Sequence, residues 1–126
     1  MIKGVGVDIV KTERIREAAL RWGRRFLDRV FTLGEIEYCF RKSEPYTSLA
    51  VRFAAKEAFI KAAGVGRLPF RDIEVVNLES GQPVIRNEGK LKRALEGTGI
   101  SRVHLSLSHE REYGVAFVVA ERGDLA

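Results

Sequence analysis

Apolar positions along the chain recur with two periods, and the switches between them divide it into elements. Ile2 to Ile9 reads as a strand, with one acid, Asp8, set among Val7, Ile9 and Val10. Ile15, Ala18, Ala19, Trp22 and Phe26 then recur at helical spacing, predicting an amphipathic helix from about Thr12 to Val30, broken near Gly23. Thr32-Leu33-Gly34-Glu35 is a capping-box pattern and predicts a short helix through Phe40. Pro45 marks another helix start, and that helix is expected to run to Ala63 and stop at Gly64, with Leu49, Phe53 and Ile60 facing the core.

Beyond it, Ile73 to Leu78 and Pro83 to Arg86 look like strands of a hairpin turned at Ser80-Gly81. Glu88 to Leu95 predicts a helix ended by Gly97 and Gly99. Val103, Leu105 and Leu107 alternate with His104, Ser106 and Ser108, giving a strand with one apolar and one polar face. Val115 to Ala120 is apolar without alternation, which predicts cover on both faces, one of them supplied by a subunit interface. The pattern is α+β, a mostly antiparallel sheet with a long helix packed on it, in one domain over residues 1–126.

Composition narrows the setting. With 126 residues, 45% of them hydrophobic and 31% charged, the chain is long enough for a real core and ordinary for a soluble protein. Its single cysteine, Cys39, excludes an intramolecular disulfide. No uncharged stretch reaches the ~20 residues needed to span a bilayer, and Asp8 interrupts the first apolar run too early for a signal peptide. A cytoplasmic protein without a membrane partner is expected. The net charge of +5 favours an acidic partner, and on charge alone nucleic acid and an acidic protein are equally open.

Candidate chemistry lies in Arg52-Phe53-Ala54-Ala55-Lys56-Glu57-Ala58-Phe59-Ile60-Lys61. Glu57 and Lys61 are four apart and share a helical face, with Lys56 on the adjacent flank. A carboxylate beside an ammonium suits a metal–phosphate site; an exposed Glu–Lys surface pair is the plain alternative. Asp8 has two readings as well: a strand-end or cap residue, or a second magnesium ligand beside Glu57.

These segments, in this order, resemble the 4′-phosphopantetheinyl transferases, and most closely the small bacterial holo-acyl-carrier-protein synthases. The resemblance is carried by Gly6-Val7-Asp8-Ile9, by the helix Phe53 to Lys61 and by His104 to His109 followed by Glu112-Tyr113. Phe70 to Val75 and the Ser80-Gly81-Gln82-Pro83 turn add to it. It runs from about Met1 to Glu121. Val10 stands where larger members of the superfamily carry a second acid, and Gly64-Val65-Gly66-Arg67 is shorter than the family's glycine-rich loop.

The resemblance implies transfer of the phosphopantetheine arm of coenzyme A to a serine of an acyl carrier protein, with adenosine 3′,5′-bisphosphate leaving. It implies Mg²⁺ held by Asp8 and Glu57, and Lys61 neutralising phosphate charge. Glu57, directly or through a metal-bound water, is the first candidate base, and Glu35 through a water the second. Ser108 and His109 would approach the adenosine 3′-phosphate from a neighbouring subunit of a trimer; otherwise His109 is a hairpin-edge residue capped by Glu110. Arg52 would touch phosphate or else pair with surface glutamates, while His104 reads as a strand-face histidine.

Six arginines, Arg14, Arg16, Arg21, Arg24, Arg25 and Arg29, line the first helical region with only Glu13, Glu17 and Asp28 among them. Such a run is ordinarily a solvated face. By resemblance Arg14, Arg21 and Arg24 would dock the acidic carrier protein. The rival class, a small basic nucleic-acid-binding module, has the charge but no aromatic stacking motif, zinc spacing or Gly-x-x-Gly clamp. A non-catalytic assembly protein would have no use for Asp8, Glu57 and Lys61 together.

Overall fold

The structure is a computed structural model, and it describes residues 1–123. β1 (Ile2–Lys11) leads into α1 (Thr12–Trp22) and α2 (Arg24–Val30), which are separated at Gly23. α3 (Leu33–Phe40) and the long α4 (Pro45–Ala63) follow. A single 3-10 turn, Phe70–Asp72, precedes the hairpin β2 (Val75–Asn77) and β3 (Pro83–Ile85), then α5 (Gly89–Ala94). β4 (Ile100–His109) and β5 (Tyr113–Arg122) close the described chain.

The main sheet has the order β1-β5-β4 with both pairings antiparallel. α4 lies across one face of it. Residues directly opposite in the register share a face, so the inward rows are Gly4–Ala120–Val103, Gly6–Val118–Leu105 and Asp8–Ala116–Leu107. The outward rows are Val5–Val119–His104, Val7–Phe117–Ser106 and Ile9–Val115–Ser108.

The contact between sheet and helix is unusually close because both surfaces are small. A Cβ added at Gly4 would lie 1.9 Å from the Ala62 carbonyl oxygen, and one at Gly6 would lie 1.9 Å from that of Ala58. The alanines Ala54, Ala55, Ala58, Ala62 and Ala63 are all buried, as are Leu49 and Phe59. Phe53 and Ile60 are only half-buried; Phe53 meets Phe70 edge-on at 5.3 Å. α4 is wrapped by the sheet on one side and by α1 and α3 on others, so its sequence carries no single apolar stripe.

The helix boundaries have local causes. Thr32 and Glu35 form the reciprocal capping box expected of them. Pro45 is the first residue of α4, and Gly64 ends it at φ 65, a left-handed conformation that glycine adopts without strain. Lys3 Nζ donates to Ala63 O at 2.8 Å and satisfies one of the last carbonyls.

Trp22, the last residue of α1 before the break at Gly23, is 52% exposed, and Arg21 stacks on its ring. Of the two faces of the sheet, the described chain covers the inward one, where Ala116, Val118 and Ala120 are fully buried; on the outward one Val5, Val7 and Ile9 of β1 and Phe117 of β5 are exposed, the face for which cover from another subunit is expected.

Candidate active site

Asp8 sits mid-strand in β1, at the inward position that follows Gly6. The close approach allowed by Gly6 brings it beside α4. There Lys61 Nζ donates to Val7 O at 3.0 Å and meets Asp8 Oδ1 at 3.4 Å. Lys61 is exposed and the Asp8 side chain is 19% exposed. Helical side chains lean toward the N-terminus, so Lys61 reaches back along the face that Glu57 occupies one turn earlier. Glu57 is half-buried. Lys61 thus links Asp8 to the helix face that Glu57 shares, and with Asp8 inside the strand its strand-end reading falls away.

The donor set suits a hard cation. Asp8 touches Lys61, whose helix carries Glu57 one turn earlier, and among the described residues no group of three His, Cys, Asp or Glu side chains gathers anywhere. Mg²⁺ takes one or two protein carboxylates and leaves its other positions to water and phosphate oxygens.

Lys56 and Glu35 are corrections. Lys56 does not flank this site; it is fully buried on another side of α4, where Nζ donates to Glu35 Oε1 at 2.8 Å, Phe70 O at 2.9 Å and Ile73 O at 2.6 Å. Burial pushes its pKa down, and the Glu35 carboxylate opposes that shift. Glu35 is 1% exposed and also accepts from Thr32 N and Val75 N, so it is not available as a base reached through a water.

A second constellation lies elsewhere. A cleft of about 1190 Å³ runs between the start of α1, the α3–α4 junction and the β4–β5 turn, lined by Arg16, Tyr38, Lys42, Ser48, Arg52 and His109 among others. Asp8, Glu57 and Lys61 do not line it. Arg52 is buried rather than paired with surface glutamates: Nη1 donates to Ser48 Oγ at 3.0 Å and Nη2 to Asn77 Oδ1 at 2.5 Å, with the guanidinium over the Tyr38 ring at 4.4 Å. His109, at the end of β4, is exposed on the inward row with Gly114 and Val10. Ser108 points to the outward face opposite Val115, so the two consecutive residues are split between faces. Glu110 does not cap His109; its carboxylate accepts from Glu112 N at 2.9 Å. His104 pairs with Glu121 on the strand face.

On α1, Arg14 and Arg21 are exposed and seven residues apart, which places them on one face. Arg24 is exposed at the start of α2 and pairs with Asp28 at 2.9 Å. Tyr38, Ser48 and Asn77, the surroundings of Arg52, carry no local sequence signal because they come from three separate elements.

The family follows from comparison with known proteins. The family model described as the 4′-phosphopantetheinyl transferase superfamily matches residues 4–118, and the chain belongs to that superfamily. Within it, a holo-[acyl-carrier-protein] synthase of Halothermothrix orenii is 50% identical over 98% of this chain and 100% of its own length. The crystal structure of holo-[acyl-carrier-protein] synthase from Neisseria meningitidis matches with a TM-score of 0.89 at 42% identity, covering 97% of this chain and 100% of that one. That of Bacillus anthracis, in complex with CoA (3′,5′-ADP), matches with a TM-score of 0.79 at 34% identity, covering 98% and 99%.

Proposed function

We propose that this chain is a holo-[acyl-carrier-protein] synthase, transferring the 4′-phosphopantetheine arm of coenzyme A to a serine of an apo acyl carrier protein. The observation that carries the reading is the contact of Lys61 with Asp8 and Val7, one helical turn from Glu57, in a chain of this superfamily. Relatives at 43–50% identity over nearly the whole chain carry that activity as their name.

The reaction needs charge neutralisation and in-line positioning more than covalent help. Asp8 and Glu57 would hold Mg²⁺, which when bound neutralises pyrophosphate charge. Lys61 is held by the Val7 carbonyl and the Asp8 carboxylate, and presents its ammonium to the phosphate oxygens. Glu57 accepts the proton of the carrier's serine hydroxyl as its oxygen bonds to phosphorus. The bond from that phosphorus to the bridging pyrophosphate oxygen breaks, and adenosine 3′,5′-bisphosphate leaves with the electron pair.

The complete site is a composite of two subunits in a trimer. Within one chain the Asp8–Glu57–Lys61 group and the Arg52–His109 cleft are separate constellations. The exposed apolar face of Val5, Val7, Ile9 and Phe117 supports self-association, because monomers rarely leave so continuous a patch open. Arg52 and His109 of one subunit would then take the nucleotide phosphates beside the metal site of the next, with Ser108 at the outward, subunit-facing side. Arg14, Arg21 and Arg24 would dock the acidic carrier, as arginine suits carboxylates. A cytoplasmic location fits the coenzyme substrate.

The test is direct: incubate the protein with coenzyme A, Mg²⁺ and an apo carrier protein, and weigh the carrier. A mass gain of one phosphopantetheine, abolished by chelator, is expected. An unchanged carrier mass with folded protein would overturn the reading.

A further inference from the structure

Arg52 is 3% exposed, yet it lines the cleft. Burying a cation is costly unless it is paired, and the other buried cation, Lys56, is paired with a carboxylate. Arg52 is not. Its partners among the described residues are neutral: the Ser48 hydroxyl and carbonyl, the Asn77 amide oxygen and the Tyr38 ring. Nη1 is committed to Ser48 and one Nη2 hydrogen to Asn77. Nε is buried without a hydrogen-bond partner. A guanidinium held firmly by neutral groups keeps its whole charge for an anion.

Asn77 provides the hold that comes from outside the helical layer. It ends β2, in register with Pro83, and its own Nδ2 donates to Gly81 O at 3.0 Å across the hairpin turn. That bond fixes the amide the right way round, with Oδ1 toward Arg52; the flipped amide would set donor against donor. The Leu78 N to Gln82 O bond at 2.9 Å closes the same turn. The hairpin therefore holds Nη2 from outside α4 while Ser48 holds Nη1 from within it.

We propose that Asn77 is a positioning residue for the nucleotide, holding Arg52 in the orientation that receives a phosphate of coenzyme A. The inference rests on Arg52 being a phosphate contact, as proposed above. It also explains the residue type: an aspartate at this position would hold the guanidinium as well but would cancel the charge that phosphate needs.

The test uses the intact oligomer with Asn77→Ala, Asn77→Asp and Arg52→Ala. Affinity for adenosine 3′,5′-bisphosphate is measured by calorimetry, alongside KM for coenzyme A, kcat and the thermal midpoint. Asn77→Ala is expected to weaken bisphosphate binding about tenfold, the loss of one charge-assisted bond. KM for coenzyme A should rise while kcat stays within about twofold. Asn77→Asp is expected to fold at least as stably as wild type and yet bind bisphosphate as poorly as Asn77→Ala, or worse. A purely structural role gives the opposite: Asp restoring both stability and affinity. Wild-type affinity in both Asn77 variants, with loss in Arg52→Ala, would overturn the role of Asn77 and leave Arg52 as the contact. Wild-type affinity in Arg52→Ala would overturn both.

Discussion

Lys56 Nζ lies 2.8 Å from Glu35 Oε1 with both side chains wholly out of solvent, and the pair ties three elements to one point. Glu35 belongs to the capping box of α3, Lys56 to the middle of α4, and the carbonyls of Phe70 and Ile73 that complete the ammonium's bonds belong to the segment entering β2. The motif lysine next to Glu57 thus anchors α4 to α3 and to the segment entering β2, on a side of the helix away from Lys61. Lys56→Met leaves a buried carboxylate without its cation, which costs about 3–5 kcal/mol. Denaturant unfolding should show that loss, whereas a surface change such as Lys90→Met should leave stability within about 0.5 kcal/mol.

Gly6 is the other positional device. Any side chain there meets the Ala58 carbonyl oxygen, so Gly6→Ala must push β1 from α4 and carry Asp8 away from Lys61. Overpacking of this kind costs about 1–3 kcal/mol. Activity should fall far more than stability does, by at least about a hundredfold, since a displacement of about 1 Å has that effect on positioning. A folded Gly6→Ala protein with wild-type turnover would refute the placement of Asp8.

Docking of the carrier through Arg14, Arg21 and Arg24 should be electrostatic and exposed. Raising salt shortens the Debye length from about 8 Å at physiological strength to about 3 Å at 1 M, so KM for the carrier should climb more than KM for coenzyme A. Arg14→Glu with Arg21→Glu should weaken carrier use and leave coenzyme A binding nearly intact. Loss of coenzyme A binding with unchanged carrier affinity would move this face to the nucleotide site.

Cys39 is buried, with Sγ 3.2 Å from Ser48 Oγ, and burial raises its pKa above the ordinary 9.0. The folded protein then holds the thiol proton over a pH range where the unfolded chain has lost it. The contribution is therefore fully present below pH 9.0 and is lost as pH rises through the folded-state value. The stability difference between wild type and Cys39→Ala should be flat below that point and shrink above it. In native buffer the thiol should react with a disulfide reagent only as fast as the protein opens.

Much of this architecture was legible in the sequence where the cause is local. Pro45 and Gly64 bound α4 to the residue, and Thr32 with Glu35 announces α3, because caps act over a few neighbouring positions. Periodicity alone says nothing of cover: Trp22 shares the helical spacing of Ile15 and Ala19 yet is exposed, since a spacing names a face and not what covers it. It also made β2 too long: the 3-10 turn at Phe70–Asp72 and the ammonium bound to the Ile73 carbonyl delay the strand to Val75. In the candidate site, Asp8, Glu57 and Lys61 were readable as motif residues. The partners of Lys56 and Arg52 were not, because Glu35 and Asn77 lie far from them along the chain and meet them only through packing.

The central claim is that Asp8, Glu57 and Lys61 of one subunit act with His109 of the next. Subunit mixing tests it most directly. Glu57→Ala and His109→Ala proteins, each inactive or nearly so, are combined, allowed to exchange, and assayed by mass gain of the carrier. In a cyclic trimer assembled at random from equal amounts, about one site in four joins an intact Glu57 to an intact His109. The mixture should therefore recover roughly a quarter of wild-type turnover. If exchange is verified and the mixture stays as inactive as its components, or if a wild-type monomer is fully active, each site lies within one chain and the composite account is contradicted.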